Sequence, residues 1–282
     1  MKLSVLGLWR DSESIINRTL STLDNISKEN NTSFYFYEND SIDNTKESLQ
    51  KWIDTKNGFL LSENIKAPKF GSVPDIQRLI LLSYYRNKAK TLLLNSDSEY
   101  TLLIDTDINF DINHLNILYE SIIRLNCAMV IANTRQHQIA DLMNNQTIDS
   151  FYDVFALRDV FNNNGLYFTD CPFILNHNRE AWINNQPIRI LSGFSGFALI
   201  RTDILKQQNC FWSTCGHSEH VNFCYNINRY GEIFIIPECK PTTDINLSSI
   251  NLEACKNIAI NQKEKINQIN HIFNLSISTK LI

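Results

Sequence analysis

Apolar residues fall along this chain in short blocks, separated by stretches where they recur at helical spacing. Leu3 to Leu8 is a near-continuous apolar run, the signature of a strand buried on both faces. Ile15, Ile16, Leu20 and Leu23 then recur at helical intervals behind Ser12 and Ser14, either of which can cap a helix. Ser33 to Tyr37 predicts an aromatic strand that runs into Glu38-Asn39-Asp40-Ser41, and Asp43-Asn44-Thr45 opens a second helix through Leu49 and Trp52. Gly58 to Ser62 predicts a further strand, and the segment from about Pro74 to Leu94 a long amphipathic helix. Tyr100 to Ile104 is a compact apolar strand ending at Asp105-Thr106-Asp107; a helix over Asn113–Leu125 and a strand over Ala128–Ala132 follow. Such alternation predicts an α/β fold with a mostly parallel central sheet flanked by helices.

Beyond Asn133 the pattern loosens. Residues 133–190 read as polar and loop-rich, with the aromatic cluster Phe151, Tyr152 and Phe155 inside them. Ile188 to Ile200 carries a turn at Gly193-Phe194-Ser195-Gly196. Glu219–Tyr230 predicts a helix ended by Gly231, and Glu232–Ile236 a strand stopped by Pro237. With no repeat or linker, residues 1–245 read as one domain, divided into a binding half, 1–132, and a loop-rich half, 133–245. Residues 246–282 read as a helical extension.

Composition narrows the partners. Of 282 residues 43% are hydrophobic, enough for a sizeable core. Lys plus Arg is 26 against 30 for Asp plus Glu, a net charge of -4, so no basic excess exists to gather nucleic acid or an anionic membrane. The apolar start is interrupted by Trp9, Arg10, Asp11 and Glu13, and no later run approaches the roughly 18–20 apolar residues of a membrane span. The reading is a soluble, cytoplasmic protein without a transmembrane segment. Seven scattered cysteines with no C-x-x-C pair read as buried free thiols.

Open α/β sheets bind ligands beyond the carboxyl ends of their strands. Two predicted strands end there in carboxylates, after Tyr37 and after Ile104. Asp105 and Asp107, spaced by one residue, can offer oxygen ligands to Mn²⁺ or Mg²⁺, which would bridge a diphosphate. The plainer alternative is two solvated acids at a strand end. For the first cluster the alternative is a capping loop, with Ser41 or Asp43 satisfying helix N–H groups.

Glu38-Asn39-Asp40-Ser41-Ile42-Asp43-Asn44-Thr45 resembles the acidic segment after the second strand of many GT-A glycosyltransferases. Further elements keep that family's order: the polar loop Trp9-Arg10-Asp11-Ser12-Glu13, then Arg86-Asn87-Lys88-Ala89, the Asp105-Thr106-Asp107 motif, Ser192-Gly193-Phe194-Ser195-Gly196, and the helix start Ser218-Glu219-His220. Phe151-Tyr152-Asp153 with Arg158-Asp159 is similar to a segment of fungal capsule-associated and related mannosyltransferases. The resemblance covers roughly residues 3–240 and implies a GT-A, Rossmann-like fold.

It also implies roles. Trp9, Arg10, Glu38, Asp40, Arg86 and Asp105 would hold the donor nucleotide, with Glu38 at the base, and residues 1–132 would be the nucleotide-sugar-binding half. Asp153, Arg158, Gly193, Phe194, Ser195 and Gly196 would line the donor and acceptor sugars, the glycines admitting close approach of backbone to a sugar. Asp105 and Asp107 would hold the metal, and Glu219 would be the base that deprotonates the acceptor. His220 stands where the family has a second acid. The usual third metal ligand, a histidine after the late strand, is absent, leaving His217, His220 or Asp244 to substitute. The implied activity is metal-dependent transfer of a sugar from a UDP- or GDP-sugar, GDP-mannose for the capsule-associated branch, to a glycan or glycoprotein, with inversion. A retaining course, a nucleotidyltransferase and a non-catalytic carbohydrate- or protein-binding module stay open as alternatives. A nucleotidyltransferase would want a glycine-rich phosphate loop, and Gly7-Leu8-Trp9-Arg10-Asp11 has one glycine.

Overall fold

The computed structural model describes residues 1–70, 75–141, 146–214, 218–243, 257 and 260–271. Its first half is β1 (Lys2–Trp9), α1 (Glu13–Glu29), β2 (Asn31–Asn39), α2 (Thr45–Ile53), β3 (Gly58–Glu63), α3 (Ile76–Leu92), β4 (Tyr100–Asp105), β5 (Ile108–Asn109), α4 (Ile112–Leu125) and β6 (Met129–Ala132). The second half is β7 (Arg135–Asp141), β8 (Gln146–Phe151), β9 (Arg158–Asp159), α5 (Asn176–Ile183), β10 (Ile188–Ser192), β11 (Phe197–Arg201), α6 (Thr202–Leu205), α7 (His220–Ile227), β12 (Ile233–Ile236) and β13 (Thr242–Thr243).

Nine strands form one sheet in the order β3-β2-β1-β4-β11-β6-β12-β10-β9. From β3 to β4 the pairing is parallel. Then β11 enters antiparallel between β4 and β6, while β12 returns parallel to β6. The sheet is thus parallel through its first half and mixed beyond it, because β10 and β11 both run against their neighbours β12, β4 and β6.

Both faces are covered, which is why β1, β4 and β6 read as continuous apolar runs. Leu3, Val5, Phe34, Phe36, Leu102 and Ile104 face the helices α1, α2 and α4. Leu6, Tyr35, Tyr37 and Leu103 face the opposite core, to which α3 contributes Tyr85 and Ala89 and α7 contributes Phe223 and Ile227. Helix ends follow local chemistry: Asp75 caps α3 by accepting from Gln77 and Arg78 N–H groups, and Asp111 with His114 forms a reciprocal capping box on α4. Asn126 ends α4 in the left-handed region at φ 46°.

A second sheet, β5-β13-β7-β8, stands over the carboxyl ends of the first. Each of β5, β7 and β13 continues the chain from a strand of the main sheet, respectively β4, β6 and β12. This is where the loop-rich expectation for residues 133–190 is corrected: the segment holds β7, β8, β9 and α5. Polar Arg135 and Gln136 are buried there by hydrogen bonding rather than by apolar patterning, so periodicity had little to report. Of the expected C-terminal helices, residues 260–271 are helical. Gln262 there accepts from Tyr167 N–H and donates to Tyr167 C=O, and Asn270 does the same for Asn176 N–H and Ile174 C=O. Among the described residues no helix is long and apolar enough to cross a membrane.

Candidate active site

The register of the parallel strands puts both acidic strand ends on one rim. Asp105 pairs with Leu8, which pairs with Tyr37; Glu38 lies one step further, beside Trp9 and Ser62. One strand separates Asp105 from Glu38, roughly 10 Å at the usual spacing of strands. Side chains alternate along a strand, however, so Glu38 leaves the sheet on the face opposite Asp105. Its carboxylate is buried, accepting from Ser41 N–H at 3.0 Å and from the Ser62 hydroxyl at 2.5 Å. Glu38 therefore locks the turn after β2, and its expected place at a nucleobase is corrected to an internal one. Trp9 is corrected likewise: its ring is 1% exposed and packs edge-on against Phe36 at 5.3 Å, inside the core.

The remaining polar residues of the two loops lace them together. Ser12 N–H donates to the Thr45 hydroxyl at 2.6 Å, Glu13 N–H to Asp43 at 3.0 Å, Ile42 N–H to Asp11 at 2.9 Å and Asp11 N–H to Ser41 at 3.0 Å. Asp40, left-handed at φ 53°, accepts from Lys66 and Ala67 N–H groups, while Arg10 donates to the Ala67 and Pro68 carbonyls. Arg10 and Asp40 thus hold segment 66–68 between them and border the rim on its β2 side.

The opposite face carries the centre of the site. Arg86 of α3 is buried and spans two carboxylates, donating from Nε to Glu219 and from Nη2 to Asp105, both at 3.0 Å. Its guanidinium lies 4.7 Å over the Phe194 ring, which stacks in turn on His220 at 4.1 Å. Trp212 donates its indole N–H to His220 Nδ1 at 3.2 Å. An indole can only donate, so the imidazole proton sits on Nε2, which faces Glu219 Oε1 at 3.2 Å. Burial keeps His220 neutral by lowering its pKa, against the pull of Glu219. Burial works against the charge of Glu219, yet its His220 and Arg86 neighbours outweigh it and hold the carboxyl below the usual range. With His220 neutral, Arg86 supplies the countercharge. Glu219 occupies the residue before α7, but its side chain makes no cap hydrogen bond.

The Arg86-Asn87-Lys88-Ala89 element now has a physical reading. Asn87 clamps Trp212 through both its N–H and its carbonyl, at 2.9 and 2.8 Å; Lys88 pairs with Glu63 at 3.2 Å, and Ala89 packs in the core. One helical turn therefore fixes both Arg86 and the loop that orients His220.

Asp153 and Tyr152 close the site from β8. Asp153 is left-handed at φ 63° and accepts from Ser195 N–H at 3.3 Å. Burial, then the charges of Glu219 and Asp105, push its carboxyl up to about 8. The Tyr152 phenol is held protonated by burial and by Asp107, Asp105 and Asp153 around it. Trp212, His220 and Tyr152 are thus parts of the site to which the sequence reading gave no firm role; their identity as aromatic donors next to the acidic motifs was the available signal.

Two expectations about the turn between β10 and β11 are revised. A Cβ on Gly193 would meet Ile131 at 2.5 Å, and one on Gly196, at φ +71°, would meet Ile108 at 2.7 Å. These glycines are required by core packing and by backbone sense rather than by approach to a sugar. Ser195 donates its hydroxyl to the Ala132 carbonyl at 2.6 Å, and Phe194 is buried under Arg86. Arg158 is also drawn away: it donates to the Phe155 and Leu157 carbonyls and stabilises the turn that follows Asp153.

Asp105, Asp153 and Glu219 share Arg86, and Tyr152 is faced by Asp107, Asp105 and Asp153 together with Arg78. Oxygen donors in negative excess fit a hard divalent cation. Among the described residues no three His, Cys, Asp or Glu side chains converge as a complete metal cage. His217 and Asp244 lie outside the described residues; His220 is committed to Trp212 and Glu219.

Comparison with known proteins follows this geometry. The fold is similar to that of S. aureus TarS residues 1–349 in complex with UDP, at 14% identity and TM-score 0.50, covering 87% of this chain and 61% of that one. It is also similar to GalNAc-T7 with UDP, GalNAc and Mn²⁺, at 13% identity and TM-score 0.58, over 88% of this chain and 44% of that one. The chain therefore spans less than two thirds of the length of these structures. No curated protein matches it in sequence. Residues 8–232 match the family described as cryptococcal mannosyltransferase 1, a span from the end of β1 to the start of β12 that takes in every site residue above. On that match and this architecture, the chain belongs to the cryptococcal mannosyltransferase 1 family and has the fold of the GT-A glycosyltransferases.

Proposed function

We propose that the protein transfers a sugar, mannose in keeping with its family, from a nucleotide diphosphate donor to a hydroxyl of a glycan or glycoprotein, using a divalent cation and inverting the anomeric carbon. The observation that carries this is the charge of the cleft. Three carboxylates, Asp105, Asp153 and Glu219, share one buried guanidinium, Arg86, and Asp107 stands with Asp105, Asp153 and Arg78 around Tyr152. An anionic diphosphate would be repelled from such a place unless a cation came with it. Asp105 and Asp107 would hold Mn²⁺ or Mg²⁺, which when bound neutralises the diphosphate as it leaves. The UDP and UDP-GlcNAc complexes of TarS and the Mn²⁺-containing structure of GalNAc-T7 support the same donor class on this fold.

The chain's own residues would divide the work. Arg86 orients Asp105 and keeps Glu219 ionised, while Arg10 and Asp40 hold segment 66–68 as the wall on the nucleoside side. Isothermal calorimetry with GDP-mannose and UDP-GlcNAc, each with and without Mn²⁺, tests the reading. Binding of one donor that needs the cation, lost in Asp107→Ala while the melting temperature holds, is the expected result. Tight metal-independent binding, or none of either nucleotide sugar, would remove the proposal. The anomeric configuration of the product, read by NMR, checks inversion.

A further inference from the structure

We propose that the helix of residues 260–271 belongs to the acceptor end of the cleft, with Gln262 the positioning residue for an aromatic wall at Tyr167 and Phe168 that receives the acceptor sugar. This rests on the glycosyl-transfer reading above and holds for either anomeric outcome. The sheet sets the direction. Arg10 and Asp40 border the rim at β2, and Asp105 ends β4. A donor laid from nucleoside to diphosphate along that rim points its sugar toward β11 and the strands beyond it. There stands the turn after Asp153, in which Ala156 N–H donates to the Asp153 carbonyl at 3.2 Å and Arg158 donates to the Phe155 and Leu157 carbonyls. Arg158 opens β9, at the opposite end of the main sheet from β3.

Phe155, Tyr167 and Phe168 are partly exposed on this side, while Val154, Ala156 and Leu166 beside them are buried. The Tyr167 ring meets Phe155 edge-on at 5.4 Å and lies 6.2 Å from the ring of Phe168. Its phenol faces Arg158 and Asp153. A pyranose has an apolar C–H face and a rim of hydroxyls, and half-exposed rings beside a phenol and a carboxylate suit both.

The wall is held from outside. Phe168 is left-handed at φ 55°, a strained conformation for a bulky side chain that persists only where its surroundings enforce it. On one side Gln262 accepts from Tyr167 N–H at 2.6 Å and donates to Tyr167 C=O at 3.1 Å. On the other, Thr169 C=O accepts from Phe151 N–H at 3.3 Å, and the Thr169 hydroxyl donates to Cys171 C=O at 2.8 Å. Leu166 N–H closes the loop on Pro172 C=O at 2.8 Å. A side chain that grips both backbone groups of one residue fixes the rotation of that residue about the chain. Without Gln262, Tyr167 can turn and Phe168 can relax, and both rings leave their places. Gln262 is itself 9% exposed and lies beyond residue 232, so this support reaches the cleft from outside the family match. Asn270 makes the same double contact with Asn176 N–H and Ile174 C=O, at the start of α5 and clear of the wall, and so serves as a control.

The experiment uses the full chain with Mn²⁺ and whichever of GDP-mannose and UDP-GlcNAc binds in calorimetry. It reads donor affinity, nucleotide release to water, the KM for methyl mannoside as acceptor, and melting temperature. Gln262→Ala should raise that KM about fivefold or more, with donor affinity and release to water unchanged. Gln262→Glu can still accept from Tyr167 N–H but cannot donate to its C=O, and should fall between. Asn270→Ala should melt as low as Gln262→Ala yet keep the KM of the parent. Tyr167→Phe should raise the KM as well, and Gln262→Ala added to it should raise it less than in the parent, because both act through one residue. An unchanged KM in Gln262→Ala, or an equal rise in Asn270→Ala, overturns the assignment, since the helix would then be a prop alone. A parent that releases nucleotide to water but transfers nothing to methyl mannoside overturns it too, and leaves the transfer reading standing. If the parent binds neither nucleotide sugar with Mn²⁺, the transfer reading fails and the wall's role falls with it.

Discussion

Arg86 decides more of this site than any other single side chain. It is 5% exposed, ion-paired at 3.0 Å to both Glu219 and Asp105, and stacked on Phe194. Removing one member of a buried ion pair leaves the other charged and unsolvated. Arg86→Ala should therefore destabilise the fold by about 3–5 kcal/mol in urea titrations. Arg86→Met combined with Glu219→Gln should recover part of that loss, since no buried charge is then orphaned on the α7 side; an Arg86→Ala protein as stable as the parent would refute the account. His220 makes a second prediction. Its pKa is lowered in the folded state by burial, so the native imidazole binds its proton less readily than the unfolded one. Below the unfolded value of about 6.5 the unfolded chain gains protons that the native chain refuses, and stability falls. The contribution is fully present above that pH and is lost as pH drops below it. Because the raised carboxyl of Asp153 contributes in the opposite sense over the same window, the check is the difference between the parent and His220→Gln in denaturation midpoint at pH 7.5 and 5.5: the parent should lose more stability, or gain less, than the variant on going to the lower pH.

At the scale of elements, legibility depended on what made each one form. The strands and helices of the first half could be read because apolar spacing creates them: the expected helix from about Pro74 to Leu94 is α3, Ile76–Leu92, and the expected strand Tyr100–Ile104 is β4, ending at Asp105. The second sheet was not readable, since β5 and β13 are two residues each and β7 is stabilised by polar partners. Among site residues the polar types were visible but their direction was not. Glu38 and Asp105 stand on one rim, yet a one-residue offset in register sends their side chains to opposite faces. The helix of residues 260–271 shows the same limit, because what fixes it is a pair of amide side chains acting as strand edges. Gln262 and Asn270 each satisfy one backbone N–H and one C=O of segment 167–176. Replacing either by Ala should cost about 1 kcal/mol and speed hydrogen exchange at the Tyr167 and Asn176 amides. Unchanged protection at those two amides would show that the helix does not brace the segment.

For the whole molecule, the family and the fold class were legible because the motifs keep their order from β1 to α7, and order survives when individual residues change their work. The match over residues 8–232 covers that ordered part. What the order could not convey is the division of labour inside it: Trp9 and Glu38 belong to packing and turn closure, while Tyr152, Asp153, Trp212 and His220 complete the cleft from the loop-rich half.

The antiparallel entry of β11 between β4 and β6 has a consequence for how the polypeptide emerges from the ribosome. β4 ends at Asp105 and β6 at Ala132, but the strand that joins them does not begin until Phe197. Until Phe197–Arg201 is made, β4 and β6 have no strand to pair through, so each leaves one backbone edge unsatisfied, and such edges recruit other chains. Those edges are paired when Phe197–Arg201 arrives. The same arrival brings Ser195 to Asp153 and Gly196 to Asp105, so the sheet and the candidate cleft are completed in one event.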